Sequence, residues 1–165
     1  MIRTASILAA LALFAGCASY SGSSLVPGKS TRAEVEATMG RPAESLTRAS
    51  GETVLYYSRL PLGREMFVAT VGSDGVLRGI EQRLTRQHIA KVAVGAQAKE
   101  VRELLGPPFR SVHMSRMQRD VWEYPWREIA DLRILWVQFS NDGQVREVIE
   151  MHDYESDPPS GPDKD

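Results

Sequence analysis

The chain has 165 residues, of which 42% are hydrophobic and 25% are charged, a balance that excludes an intrinsically disordered protein. Its 20 basic residues nearly match its 21 acidic ones, so the overall charge does not indicate nucleic-acid binding. A single cysteine, Cys17, excludes an internal disulfide. The length allows either one ordinary domain or two small ones.

The N-terminal segment has the pattern of a bacterial export signal. Arg3 supplies a positive charge, and residues 7–15 form an apolar run that is too short to span a bilayer as a helix. The small residues Ala15 and Gly16 precede Cys17 at the end of this run, an arrangement that resembles a bacterial lipobox. We therefore predict a signal peptide over residues 1–16, lipidation of Cys17, and a flexible tether over residues 17–24. An ordinary secretory signal with an incidental cysteine is the alternative.

The rest of the chain contains an internal repeat. Five residues of one helical stretch recur 66 residues later: Glu34, Val35, Met39, Gly40 and Pro42 match Glu100, Val101, Leu105, Gly106 and Pro108. Both stretches end in a glycine, which we expect to adopt a left-handed conformation, and a proline then prevents the helix from resuming. The pattern predicts two tandem units over residues 25–83 and 84–152. Residues 153–165, with five acids and three prolines, are predicted to be a disordered tail.

In the first repeat, Thr31 and Glu34 have the spacing of a capping box at the start of a short helix that ends at Gly40. β-Branched and aromatic residues then predict strands over 53–58, 65–71 and 76–82. An edge strand over 43–48 would add a fourth.

In the second repeat, short helices are predicted over 85–92 and 98–105. Strands are predicted over 120–124, 132–140 and 144–151, with 111–116 as the edge candidate. The predicted fold class is therefore α+β: two tandem repeats, each of one or two short helices followed by an antiparallel meander. The meander has three strands, or four if the edge strands form. Because a unit of this size buries little core alone, the two should share a sheet or pack against each other.

Alternation along the strands predicts one sheet face against the helices and a second face that is unusually apolar. The second face carries Val54, Tyr56, Met66, Val68, Val121, Ile134 and Trp136. Such a face is typical either of a contact between repeats or of a surface for a partner. We favour the partner surface, with Tyr56, Met66, Ile134 and Trp136 forming one binding patch. Its predicted rim is Arg64, Gln138 and Arg146.

No catalytic or metal-binding pattern is found in the sequence. His88, His113 and His152 do not have metal-ligand spacing, and the Gly-Lys-Ser-Thr stretch at 28–31 lacks the first glycine of a phosphate-binding loop. No Gly-x-Ser-x-Gly nucleophile motif occurs. We therefore predict a protein without catalytic residues, metal or cofactor.

Together these residues resemble the SmpA/OmlA-type small lipoprotein domain, the E subunit of the machine that inserts β-barrel proteins into the bacterial outer membrane. The resemblance depends on Cys17, on the helix that ends in Leu-Gly-x-Pro, on the strand with Trp122 and Tyr124, and on the hairpin with Phe139 and Gly143. It covers residues 27–151 in two copies, whereas the assembly factor normally has one.

This resemblance implies a lipid anchor in the outer membrane, facing the periplasm, and a partner in the β-barrel assembly machinery. Ala18 agrees with that location, because an aspartate after the lipidated cysteine would retain the protein in the inner membrane. The implied function is a non-enzymatic accessory or scaffold in outer-membrane assembly or envelope integrity. Secreted inhibitors of the β-lactamase-inhibitor type are also tandem repeats of a similar unit. They imply the alternative, a periplasmic module that captures a partner on its sheet face.

Overall fold

A computed structural model describes residues 21–156. The predicted signal peptide, the predicted lipidation site at Cys17 and residues 157–165 of the predicted tail lie outside the described residues. The described elements, in chain order, are α1 (Arg32–Met39), β1 (Glu44–Thr47), β2 (Thr53–Ser58), β3 (Met66–Val71), β4 (Leu77–Gln82), α2 (Arg86–Ile89), α3 (Ala98–Leu105), β5 (Arg110–Met114), β6 (Arg119–Glu128), β7 (Asp131–Ser140) and β8 (Val145–His152).

The strands form two four-stranded antiparallel sheets, ordered β1-β2-β3-β4 and β5-β6-β7-β8. The protein is α+β with a tandem arrangement, as predicted, but each sheet has four strands rather than three. The fourth strands are the edge strands β1 and β5. They have only four and five residues and are almost entirely exposed, so the sequence predicted them only as edge candidates.

The two repeats agree in detail. Helices α1 and α3 both have eight residues, and the third strand of each sheet has a register shift at the matching place, between Thr70 and Val71 and between Gln138 and Phe139. The capping box of α1 forms, because the Glu34 carboxylate accepts from the Thr31 N–H at 2.7 Å.

The glycines that end α1 and α3 both have positive φ, 84° at Gly40 and 86° at Gly106. Their ψ angles of −165° and −174° are not those of the left-handed helical conformation that we expected. They lie in an extended region that is essentially restricted to glycine.

Two hydrophobic clusters define four layers. In the smaller cluster, Val35 and Met39 of α1 pack on one face of the first sheet. The larger cluster joins the opposite face of that sheet to α2, α3 and one face of the second sheet. The order of layers is therefore α1, first sheet, α2 with α3, second sheet. Within residues 21–156, the first sheet is covered on both faces and the second on one.

Close contacts hold the repeats together at this junction. Gly106 lies between the sheets: a Cβ added there would be 2.8 Å from Met66 Cγ, and its carbonyl oxygen accepts from the Tyr124 hydroxyl at 3.1 Å. Burial raises the pKa of Tyr124 well above its ordinary value. At the edge of the junction, Arg102 of α3 donates to Glu44 of β1 at 2.7 Å.

A second link joins the β2–β3 loop to the end of β8. The Arg64 guanidinium pairs with the Asp153 carboxylate, and both side chains are almost fully buried. Arg64 also donates to the Arg133 carbonyl oxygen at 3.2 Å. Asp153, which was expected to begin the disordered tail, is thus part of the fold. Because a buried charge needs a counter-charge, this pair ties the two repeats together.

Candidate functional site

The four residues predicted to form one binding patch lie on two different surfaces. Tyr56 and Met66 are 4% and 0% exposed and belong to the core between the repeats, whereas Ile134 and Trp136 lie on the outer face of the second sheet. A single patch is therefore wrong, because α2 and α3 cover the first sheet. The predicted rim residue Arg64 is also buried, in its pair with Asp153.

The outer face of the second sheet is its side away from α2 and α3, and we call it the open face. Strand register places eight apolar residues there: Val112, Met114, Val121, Leu132, Ile134, Trp136, Ile149 and Met151. Neither hydrophobic cluster includes any of them. Most are only partly buried, and Val112 is 45% exposed. An antiparallel sheet face in contact with water is usually polar, so this face has the composition of a binding surface.

Glu123 lies at the centre of the open face and orders the groups around it. Its Oε2 accepts from Trp136 Nε1 at 2.8 Å and from Arg110 Nη2 at 2.9 Å, and the residue is only 6% exposed. The hydrogen bond to this buried carboxylate fixes the Trp136 indole on the sheet. An aromatic side chain held in this way loses little conformational entropy when it binds a partner.

The polar end of the open face is also internally paired. Arg119 donates to Gln138 at 2.8 Å and to Glu147 at 3.0 Å. Gln138, predicted at the rim, is therefore buried beneath a guanidinium, while Arg146 is exposed and donates to the Ser140 hydroxyl at 2.9 Å. These bonds satisfy the polar groups without covering the apolar ones.

Two recesses open on this face and meet at Arg110 and Glu123. One, of about 280 Å³, is bounded by apolar residues from β5, β6 and β7, among them Val112 and Trp136. The other, of about 410 Å³, lies between the second sheet and the β2–β3 loop, where Leu62 is 90% exposed. The first repeat thus borders the open face although it does not cover it.

The three histidines lie apart, each beside a different partner. His88 contacts the Thr85 hydroxyl at 2.9 Å, His113 the Asp120 carboxylate at 2.8 Å, and His152 the Asp131 carboxylate at 2.7 Å. Within residues 21–156, no group of three or more potential ligand residues is placed to hold a metal ion.

A network of ion pairs fastens α2 to the second sheet. Arg86 donates to Glu150 at 2.8 Å and to Glu128 at the same distance, and its guanidinium lies 4.7 Å from the Trp126 ring. The hydrogen bond from Arg86 lowers the pKa of Glu128, and a hydrogen bond from Arg133 lowers that of Asp131. These charged groups are paired with one another and link α2 to the second sheet.

None of the described helices is long and apolar enough to cross a membrane.

No family model and no curated protein matches the chain. Among solved structures it is similar to a DUF4309 family protein, YjgB, from Bacillus subtilis, with 16% identity over 78% of this chain and 82% of that chain and a TM-score of 0.31. It is also similar to a candidate beta-lactamase inhibitor protein from Streptococcus mutans, with 12% identity over 74% and 82% and a TM-score of 0.32. At these values the likeness assigns neither a family nor a function. The resemblance to the SmpA/OmlA-type domain stays a prediction.

Proposed function

We propose that the protein is a non-enzymatic binding module of the bacterial envelope that captures a partner protein on the open face of its second sheet. One observation carries this proposal. The two sheets have equivalent apolar faces, and the first is buried by the second repeat, whereas neither hydrophobic cluster extends onto the second. An apolar face that the described part of the fold leaves uncovered favours association with another molecule.

The composition of the open face supports a protein as the partner. Binding energy at protein interfaces is concentrated in tryptophan, tyrosine and arginine. Here Trp136 is fixed near the centre by Glu123, and Arg110 lies beside it at the edge strand. Arg119 and Glu147 form a polar margin at one end of the apolar residues, and protein interfaces usually have such a polar margin.

Two roles are compatible with such capture. The face itself supports a binding or inhibitor module, because it requires only that a partner be held. A role in β-barrel assembly depends further on the sequence resemblance and on the outer-membrane anchor predicted at Cys17. The identity of the captured protein distinguishes the two roles: a soluble periplasmic enzyme for the first, or a component of the assembly machinery for the second.

The chain supplies a matched control for the test. Val112 in β5 and Leu46 in β1 occupy equivalent edge-strand positions, opposite Val121 and Val54, and each is 45% exposed. Wild type, Val112→Asp and Leu46→Asp would each be purified from detergent-solubilised envelopes of the host. We expect one partner to be recovered with wild type and Leu46→Asp and lost with Val112→Asp. Equal recovery with all three proteins would refute the proposed binding face.

A further inference from the structure

The open face has an equivalent in the first sheet, and the structure shows which elements pack on that equivalent face. Strand register pairs equivalent positions in the two sheets: Val54 with Val121, Tyr56 with Glu123, Met66 with Ile134, and Val68 with Trp136. In the first sheet all four positions are buried in the larger cluster together with Val101 and Leu105 of α3. The first sheet therefore shows which kind of element this surface accepts.

That element is a helix held in two ways. In the middle of the junction the end of α3 approaches the first sheet closely, with the Cβ position of Gly106 only 3.3 Å from Tyr56 Cδ1. At the margin Arg102, from the same helix, donates to both carboxylate oxygens of Glu44 in the edge strand. Apolar contact thus supplies the area, and one ion pair at the edge strand sets the orientation of the helix.

The charge at the edge strand is reversed in the second sheet. Glu44 is the first residue of β1 and lies opposite Tyr56, while Arg110 is the first residue of β5 and lies opposite Glu123. The side chain of Arg110 is 59% exposed, and only one of its nitrogens is bonded to Glu123 within the described part of the chain. A guanidinium has five donors, so Arg110 can also bind a carboxylate from outside.

We infer that the open face receives an amphipathic α-helix of a partner protein, which places a carboxylate against Arg110 and its apolar side over Trp136, Ile134 and Val112. The inference rests on the proposed function and specifies the chemistry of the captured segment. The helix carries an acid where α3 carries Arg102, because the edge-strand charge that it meets is positive rather than negative.

A second copy of this chain fits the surface less well. Its exposed helix, α1, does have an acid, Glu36, at the position that corresponds to Arg102. However, Arg32 already donates to that carboxylate at 2.7 Å. The outward side of α1 also lacks one apolar contact of α3, because Thr38 stands at the position of Leu104, which packs against the larger cluster. The surface therefore suits a more apolar helix than α1.

The experiment uses the full-length protein in the envelope of its host, with photoreactive benzoylphenylalanine at position 112 and, as the matched control, at position 46. Cross-linked peptides are identified by mass spectrometry. We expect position 112 to cross-link to an amphipathic helix with an aspartate or glutamate on its polar margin, and position 46 to give no such product. Arg110→Glu should lower the yield about tenfold, while Arg110→Lys should retain most of it. Changing the partner's acid to arginine should restore cross-linking to the Arg110→Glu protein.

Each remaining outcome overturns a different statement. Absence of any partner cross-link from position 112 would refute the proposed function itself. A cross-link to an extended strand or loop would refute the inferred helix and leave partner capture intact. The same conclusion follows if Arg110→Glu leaves the cross-linking yield unchanged while its melting temperature equals that of Arg110→Lys. A cross-link to α1 of a second copy would replace the partner protein with self-association.

Discussion

The close approach of α3 to the first sheet predicts a large difference between two equivalent glycines. Gly40→Ala and Gly106→Ala place a Cβ at the same backbone conformation, which costs about 1–3 kcal/mol at either site. At Gly40 the new Cβ meets no atom within 4 Å, whereas at Gly106 it would lie 2.8 Å from Met66 Cγ and 3.1 Å from its sulfur. Overpacking adds about 1–3 kcal/mol at that site alone, so Gly106→Ala should lose about 2–6 kcal/mol in total. That is a large part of a typical domain stability of about 5–15 kcal/mol.

Urea unfolding followed by tryptophan fluorescence measures both variants, with wild type beside them. The double variant Met66→Ala/Gly106→Ala should be more stable than the sum of the single effects predicts, because the shorter side chain makes room for the Cβ. Equal losses for Gly40→Ala and Gly106→Ala, or strict additivity with Met66→Ala, would mean that α3 does not press on the first sheet. The order of layers would then be wrong.

Three further results are expected. Asp153→Asn leaves the buried Arg64 without its counter-charge and should cost about 3–5 kcal/mol at pH 7. Burial acts to raise the pKa of Asp153, but hydrogen bonds, chiefly from Arg64, hold this pKa below 3.8 in the folded protein. The difference in melting temperature between wild type and Asp153→Asn should therefore persist above pH 3.8 and shrink as the pH falls through the lower folded pKa. Trp126→Ala, at a fully buried site, should lower the free energy of unfolding by about 3–5 kcal/mol in denaturation experiments. Trp136→Ala should keep nearly wild-type stability and lose the captured partner. If Trp136→Ala is strongly destabilised instead, the open face is part of the core. The Cys17→Ser protein should be lost from the outer-membrane fraction when cells are fractionated, because acyl chains, at ~0.8 kcal/mol per buried CH₂, provide the anchor. Its retention in that fraction would contradict lipidation.

Strand β6 illustrates a limit of sequence patterns. The alternation predicted a strand over 120–124, but β6 is longer and runs through Pro125 to Glu128. A proline within an inner strand argues against strand structure, because it cannot donate a ladder hydrogen bond. The antiparallel pairing of Pro125 with Ile134 and the buried packing of Trp126 outweigh that local preference.

The sites that hold the open face together were likewise hidden in the sequence. Glu123 stands between Trp122 and Tyr124 and has no spacing that marks it, and Arg110 precedes the edge-strand candidate by one residue. The hydrogen bonds that Arg110 and Trp136 donate to Glu123 depend on three strands being in register. No local pattern carries that register, which follows from the turns and the packing of the whole sheet.

The sequence by itself determined the repeat, because the same residues recur at a fixed spacing. It also determined the ends of α1 and α3 and the two-sided apolar strands, because these features depend on residues near one another in the chain. It left undecided which apolar face is buried, since Tyr56 and Met66 occupy the positions in the first repeat that Glu123 and Ile134 occupy in the second. Tertiary structure decided this point: α2 and α3 of the second repeat pack on the first sheet, and no third repeat follows within the described residues to cover the second. Equivalent faces of the two sheets are thus buried in one repeat and open in the other, because burial depends on the order in which the layers stack rather than on the strands themselves.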